Sequence, residues 1–144
     1  MALVEDFIAV LKNRGATFNP PASSGLLSHL HAHLQAPVPR LMRELYSRAN
    51  GMPDMDVDED LLSLWSIERI LEDPDGLLEL DGARHVAFAD GMLNAWFLRL
   101  KMGATGTSVV NDLDPATLHW LSFGDFLAGY VASPSDVAIG AGVG

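Results

Sequence analysis

The chain has 144 residues, 49% of them hydrophobic and 19% charged, with nine Lys and Arg against nineteen Asp and Glu for a net charge of −10. That size and composition describe one globular domain with a real core, and the lack of cysteine excludes a disulfide framework, a thiolate metal site and a thiol nucleophile. The negative charge disfavours nucleic acid and anionic membrane surfaces as partners and favours a basic protein.

The first segment, Ala2 to Arg14, repeats Leu3, Phe7, Ile8 and Leu11 at helical spacing and stops at Gly15. Glu5 and Asp6 stand where a secretory signal carries basic residues, so the segment reads as a first helix. No run of about 18 apolar residues is free of charge, as a membrane span requires, and a cytoplasmic protein is expected. After the stiff Asn19-Pro20-Pro21 connector, Ser23 or Ser24 caps a second helix through Leu26, Leu27, Leu30 and Leu34, which Pro37 and Pro39 end. A third helix spans about Arg40 to Asn50 on the stripe Leu41, Leu45 and Ala49, with Met42 and Tyr46 beside it and Asn50-Gly51 as a left-handed exit.

From Met52 to Asp60 the chain is turn-rich and acidic, and strand-like alternation begins beyond it. Leu61 to Ser66 reads as a strand leading into a short helix, Ser66 to Leu71, before a turn at Asp73 to Gly76. His85 to Ala89 and Ala95 to Lys101 form a hairpin with Asp90-Gly91 in the connection; Trp96, Leu98 and Leu100 face the core, Arg99 and Lys101 face away. Thr107 to Val110 and Thr117 to Leu121 are further short strands, and Ser122 caps a last helix through Phe126, Leu127 and Tyr130. The expected fold is α+β: N-terminal helices, a mainly antiparallel sheet of short strands and a closing C-terminal helix. Residues 1–133 form the single domain, and 134–144 a flexible glycine-rich tail.

Three stretches, in this order, resemble the SUKH superfamily, which includes bacterial toxin-immunity proteins and fungal cell-wall regulators. The first runs from Val38-Pro39-Arg40-Leu41 through Leu45-Tyr46 to Asn50-Gly51. The second is Leu64-Trp65-Ser66 with Val86-Ala87-Phe88-Ala89-Asp90-Gly91, and the third is Ser122-Phe123 with Asp125-Phe126-Leu127 and Tyr130. The resemblance covers about residues 38 to 132, and it departs where Met92, Leu93 and Asn94 replace the glycine that many relatives carry after Asp90-Gly91. It implies a non-catalytic protein-binding domain, most commonly an immunity protein that neutralises a cognate toxin such as a nuclease, or else a regulator or scaffold. Pro39, Leu45, Tyr46, Asn50, Gly51, Trp65, Phe88, Asp90, Gly91 and Phe126 are the motif positions, expected to serve structure.

Asp54, Asp56, Asp58, Glu59 and Asp60 place five carboxylates in seven residues and are the candidate contacts for a basic partner. An EF-hand reading fails, because Glu59 stands where the loop needs glycine and Trp65 where it needs the bidentate acid. His29 and His33 lie one turn apart with His31 between them, but no acid sits within a turn to complete a metal site. His85, His119 and Ser122 lack the Gly-x-Ser-x-Gly context of a nucleophile. No catalytic residue, metal or cofactor is therefore assigned, and Trp65, Trp96 and Trp120 are read mainly as core.

Overall fold

The computed structural model describes residues 3–73 and 77–139. Three helices, α1 (Leu3–Asn13), α2 (Ser24–Leu34) and α3 (Arg40–Arg48), precede β1 (Leu62–Leu64) and α4 (Ile67–Glu72). The chain continues as β2 (Leu77–Leu80), β3 (Ala83–Gly91), β4 (Trp96–Gly103), β5 (Gly106–Asn111) and β6 (His119–Trp120), then α5 (Phe123–Ala132) and α6 (Pro134–Ile139). Every strand pairing is antiparallel: β1, β3, β4, β5 and β6 lie in that order, and β2 joins the far half of the β3 edge that β1 occupies. The α+β architecture of helices, antiparallel sheet and closing helix is thus observed.

Alternation along β4 sends Leu98 and Leu100 into the core, where they meet Val86 and Phe88 of β3 and Val109 of β5. On this inner face Phe88 packs against Phe123 and Phe126 of α5 at 5.5 and 5.6 Å, and Phe7 of α1 meets Tyr130 edge-on at 5.1 Å. A register shift between Ala87 and Ala89 makes Phe88 an extra residue in β3. It turns Asp90 to the outer face opposite Phe97, and so fixes where the buried carboxylate described below points.

Ser23, Ser66 and Ser122 cap α2, α4 and α5, each accepting from the amide three residues on. Several local expectations are corrected. The third helix ends at Arg48, because the backbone of Asn50 bonds the Pro20-Pro21 connector instead. Asp90-Gly91 lies inside β3, and the hairpin turns on Met92, Leu93 and Asn94. Arg99 faces away from the core as expected but is not solvent-exposed there, because it leans on Phe97 and bonds Asp112. Past residue 133 the chain forms α6: Pro134 occupies a first-turn position where its missing N–H costs nothing, and Val137 enters the core. Most of the expected turn at Asp73 to Gly76, and the glycine-rich end from residue 140, lie outside the described residues.

Candidate functional site: a loop tip held by two buried carboxylates

The acidic loop does not present its five carboxylates as a set. Asp58 is withdrawn from the surface entirely. Its Oδ1 accepts the amides of Asp60 and Leu62 at 2.8 and 2.9 Å, and its Oδ2 accepts the Tyr130 hydroxyl at 2.6 Å and Arg14 Nε at 3.2 Å. Arg14, at the end of α1, also reaches Glu59 at 3.3 Å and Asp60, whose Oδ2 accepts Ser135 Oγ of α6 at 2.9 Å. Burial works to lower the Arg14 pKa, but the bonds to Tyr130 and Asp58 outweigh it and hold the guanidinium charged. Asp56 caps the Thr17 amide at 2.9 Å, and the Thr17 hydroxyl holds its carboxyl below the usual carboxylate range. Asp54 and Glu59, with the partly exposed Asp56 and Asp60, remain for a partner.

A second buried carboxylate organises the neighbouring turn. Asp90 Oδ2 accepts Trp65 Nε1 at 2.6 Å and Arg69 Nη2 at 3.1 Å, while its Oδ1 accepts the Asn94 amide at 3.1 Å. Arg69 stacks over the Trp65 ring at 4.3 Å and also bonds Asn94 Oδ1. The two organised loops meet where Leu61 C=O accepts the Met92 amide at 3.0 Å.

What these loops hold outward is apolar. Leu61, Met92 and Leu93 are 40%, 51% and 61% exposed, and all three sit in the left-handed region, with φ of 66°, 52° and 57°. Bulky residues rarely adopt that conformation, which costs each about 1–2 kcal/mol. Such strain persists where surrounding bonds over-determine it, and it concentrates at functional positions. Here Asp58 and Asp90 supply those bonds. Sequence patterning missed these three residues because nothing in their types marks a surface; the one signal was the bulky Met92-Leu93 where a turn favours glycine.

The other singled-out residues are accounted for by packing or capping. Tyr46 donates to the Trp65 carbonyl at 2.6 Å; Asn50 accepts the Ile67 amide at 2.8 Å and donates to Glu68 at 2.7 Å. Gly91 leaves room for the Trp96 ring, which an added Cβ would meet at 1.9 Å. Leu45, Phe88 and Phe126 are core, and Pro39 precedes the first turn of α3. His29 and His31 are exposed; burial and then Arg84 lower the pKa of His33. No group of three His, Asp or Glu side chains among the described residues has the geometry of a metal site, and no described helix is long and apolar enough to cross a membrane. Ser122 Oγ is occupied as a cap, accepting the Asp125 amide at 3.0 Å.

Burial raises the pKa of Tyr46 and Tyr130 well above the ordinary phenol value, and the bond to Asp58 reinforces this at Tyr130. Between about pH 10 and the folded-state values the unfolded tyrosines ionise and the folded ones do not, so stability is full below about pH 10 and falls as pH rises. Urea unfolding should show a decline of up to about 1.4 kcal/mol per pH unit for each of the two residues. Tyr130→Phe should roughly halve that slope; a flat profile to pH 11.5 would contradict the assignment.

A search of protein-family models and of curated proteins finds no match to this chain.

Proposed function

We propose that this protein works by gripping a basic protein partner through the tip formed by Leu61, Met92 and Leu93, with Glu59 and Asp60 at its acidic rim. The observation that carries the reading is the exposure of three large apolar side chains in a strained backbone, on loops that two buried carboxylates fix in place. Binding energy concentrates in a few apolar anchors, and pre-ordered loops avoid the entropy of ordering on contact. The net charge of −10 steers a positive partner and repels a negative one. With the resemblance to the SUKH superfamily, this favours an immunity protein that neutralises a cognate toxin by stoichiometric binding, over an interface of roughly 800 Å² per partner.

The test is to recover partners at low and high salt and to express any basic partner alone and together with this chain. Toxicity of the partner alone, cancelled by co-expression, is the expected result. Met92→Asn with Leu93→Asn should then weaken binding by about 2 kcal/mol or more, near thirtyfold in Kd. The same pair should leave the fold slightly more stable, by about 1 kcal/mol, because asparagine tolerates the left-handed region. Unchanged affinity with these two substitutions would remove the tip from the interface, and partners that are harmless when expressed alone would favour a regulator or scaffold over an immunity protein.

A further inference from the structure

The sheet face away from the helices carries a groove of about 430 Å³. Its floor is His85 of β3, Arg99 and Lys101 of β4, and Val110 of β5, with His119 of β6 beside them. Leu78 and Leu80 of the β2 edge form one wall and the loop at Pro115 and Ala116 the other, so both edges of the sheet bend toward one trough. That volume lies in the range of small-molecule sites, which pair apolar walls with a few placed polar groups.

Two polar side chains in the groove make no hydrogen bond or ion pair among the described residues. The His85 imidazole makes no hydrogen bond among the described residues, and its nitrogens are open to the groove rather than sealed from it. Lys101 lies directly across from His85 in the β3–β4 register and has no ion-pair partner among the described residues. Arg99, by contrast, is engaged by Asp112 at 3.3 Å. Burial, then Lys101 and Arg99, lower the His85 pKa, against a smaller opposing pull from Asp81 and Glu79; the ring is therefore neutral at pH 7, able to donate one hydrogen bond.

We propose that this groove is a second binding site, separate from the tip, for a small amphipathic carboxylate. Its head would accept from Lys101 and the His85 ring, and its apolar part would lie against Leu78, Leu80 and Val110. Lys101, a lone cation with no ion-pair partner among the described residues, matches a monoanion. A dianion such as phosphate would also face Asp112 and, at the rim, Asp81, whose charges oppose a second negative charge.

Hexanoate is the probe, added to the full chain at pH 7 and constant ionic strength while the imidazole Cε1–H resonances are followed by NMR. The expected result is a saturable shift at His85 and His119, with His29, His31 and His33 unmoved. Acetate, lacking the tail, and hexanol, lacking the charge, should each bind about tenfold more weakly or worse. Lys101→Met should weaken hexanoate by about tenfold, and Leu80→Ser, at a half-exposed edge position, should weaken it with little effect on folding. Shifts that never saturate, equal binding of acetate or hexanol, or hexanoate affinity unchanged in folded Lys101→Met would each overturn the proposal. Tip binding is read separately by the Met92 and Leu93 substitutions, so either site can fail alone.

Discussion

Asp58→Ala should cost about 3–5 kcal/mol of folding stability, since it leaves at least two buried donors unpaired at about 1–3 kcal/mol each. The Asp58 side chain is fully buried and accepts from two backbone amides, a tyrosine hydroxyl and an arginine, which come from its own loop, α1 and α5. Truncation leaves the Leu62 amide and the Tyr130 hydroxyl without that acceptor in a site closed to water. Arg14 keeps Glu59 and Asp60, so the loss comes from the orphaned neutral donors more than from a stranded cation. Asp58→Asn keeps one carbonyl acceptor and should cost less, about 1–3 kcal/mol. Against a typical total of 5–15 kcal/mol, the alanine variant sits near the edge of folding. Urea unfolding measures both variants, and a loss below about 1 kcal/mol for Asp58→Ala would show that the acidic loop is not anchored through this residue.

That anchoring is also where reading the sequence stops short. Five acids in seven residues look like a solvated charge cluster, because the partners that bury one and tether others lie far along the chain: Arg14 is 44 residues from Asp58 and Tyr130 is 72 away. Local signals fared better where the physics is local. The apolar period of α1 to α3, the serine caps at positions 23, 66 and 122 and the alternation of β4 all depend on neighbours within a few residues, and each is visible in the sequence. β2 carries no such signal. It is a four-residue edge strand whose three last residues are exposed, so Leu77-Leu78-Glu79-Leu80 has no buried face to impose a period of two. α6 was hidden by the glycines that follow it, although Pro134 itself is well suited to start a helix.

The tip and the outer groove share a further reason for being hard to read. Both are assembled from strand ends and turns that the β3 bulge and the curling edges bring together, and their residues are ordinary in type: leucine, methionine, histidine, lysine. The tip stands out only when exposure and backbone angle are known together. A leucine on the surface is common, and a left-handed residue is found in many loops, but bulky apolar side chains that are both exposed and left-handed at two adjoining loops are not explained by folding. The strain lowers stability, so a binding role is the reading that gives those residues a compensating gain.

Gly51→Ala should be the most damaging single methyl in the protein. Gly51 has φ of +64°, and a Cβ built there would lie 2.2 Å from the Trp65 carbonyl oxygen and 2.6 Å from the Ser66 amide nitrogen, both backbone atoms that cannot rotate away. The same carbonyl accepts the Tyr46 hydroxyl at 2.6 Å, and the Gly51 carbonyl accepts the Asn19 amide at 2.9 Å, so the crossing ties α3, the proline connector and the entry to α4 together. Pushing these two segments apart would break these bonds and the Asn50 bond to the first α4 amide, Ile67, in addition to about 1 kcal/mol of backbone strain. A loss above about 4 kcal/mol is expected, with a fall in Tm of roughly 10–20 °C or failure to accumulate folded protein. Gly103→Ala is the control, since nothing lies within 4 Å of its added Cβ and its φ is outside the left-handed region; it should change stability by no more than about 0.5 kcal/mol. If both variants melt within a few degrees of the parent, the close approach of Gly51 to Trp65, and the ties between α3 and the entry to α4 that run through it, are not features of the folded protein.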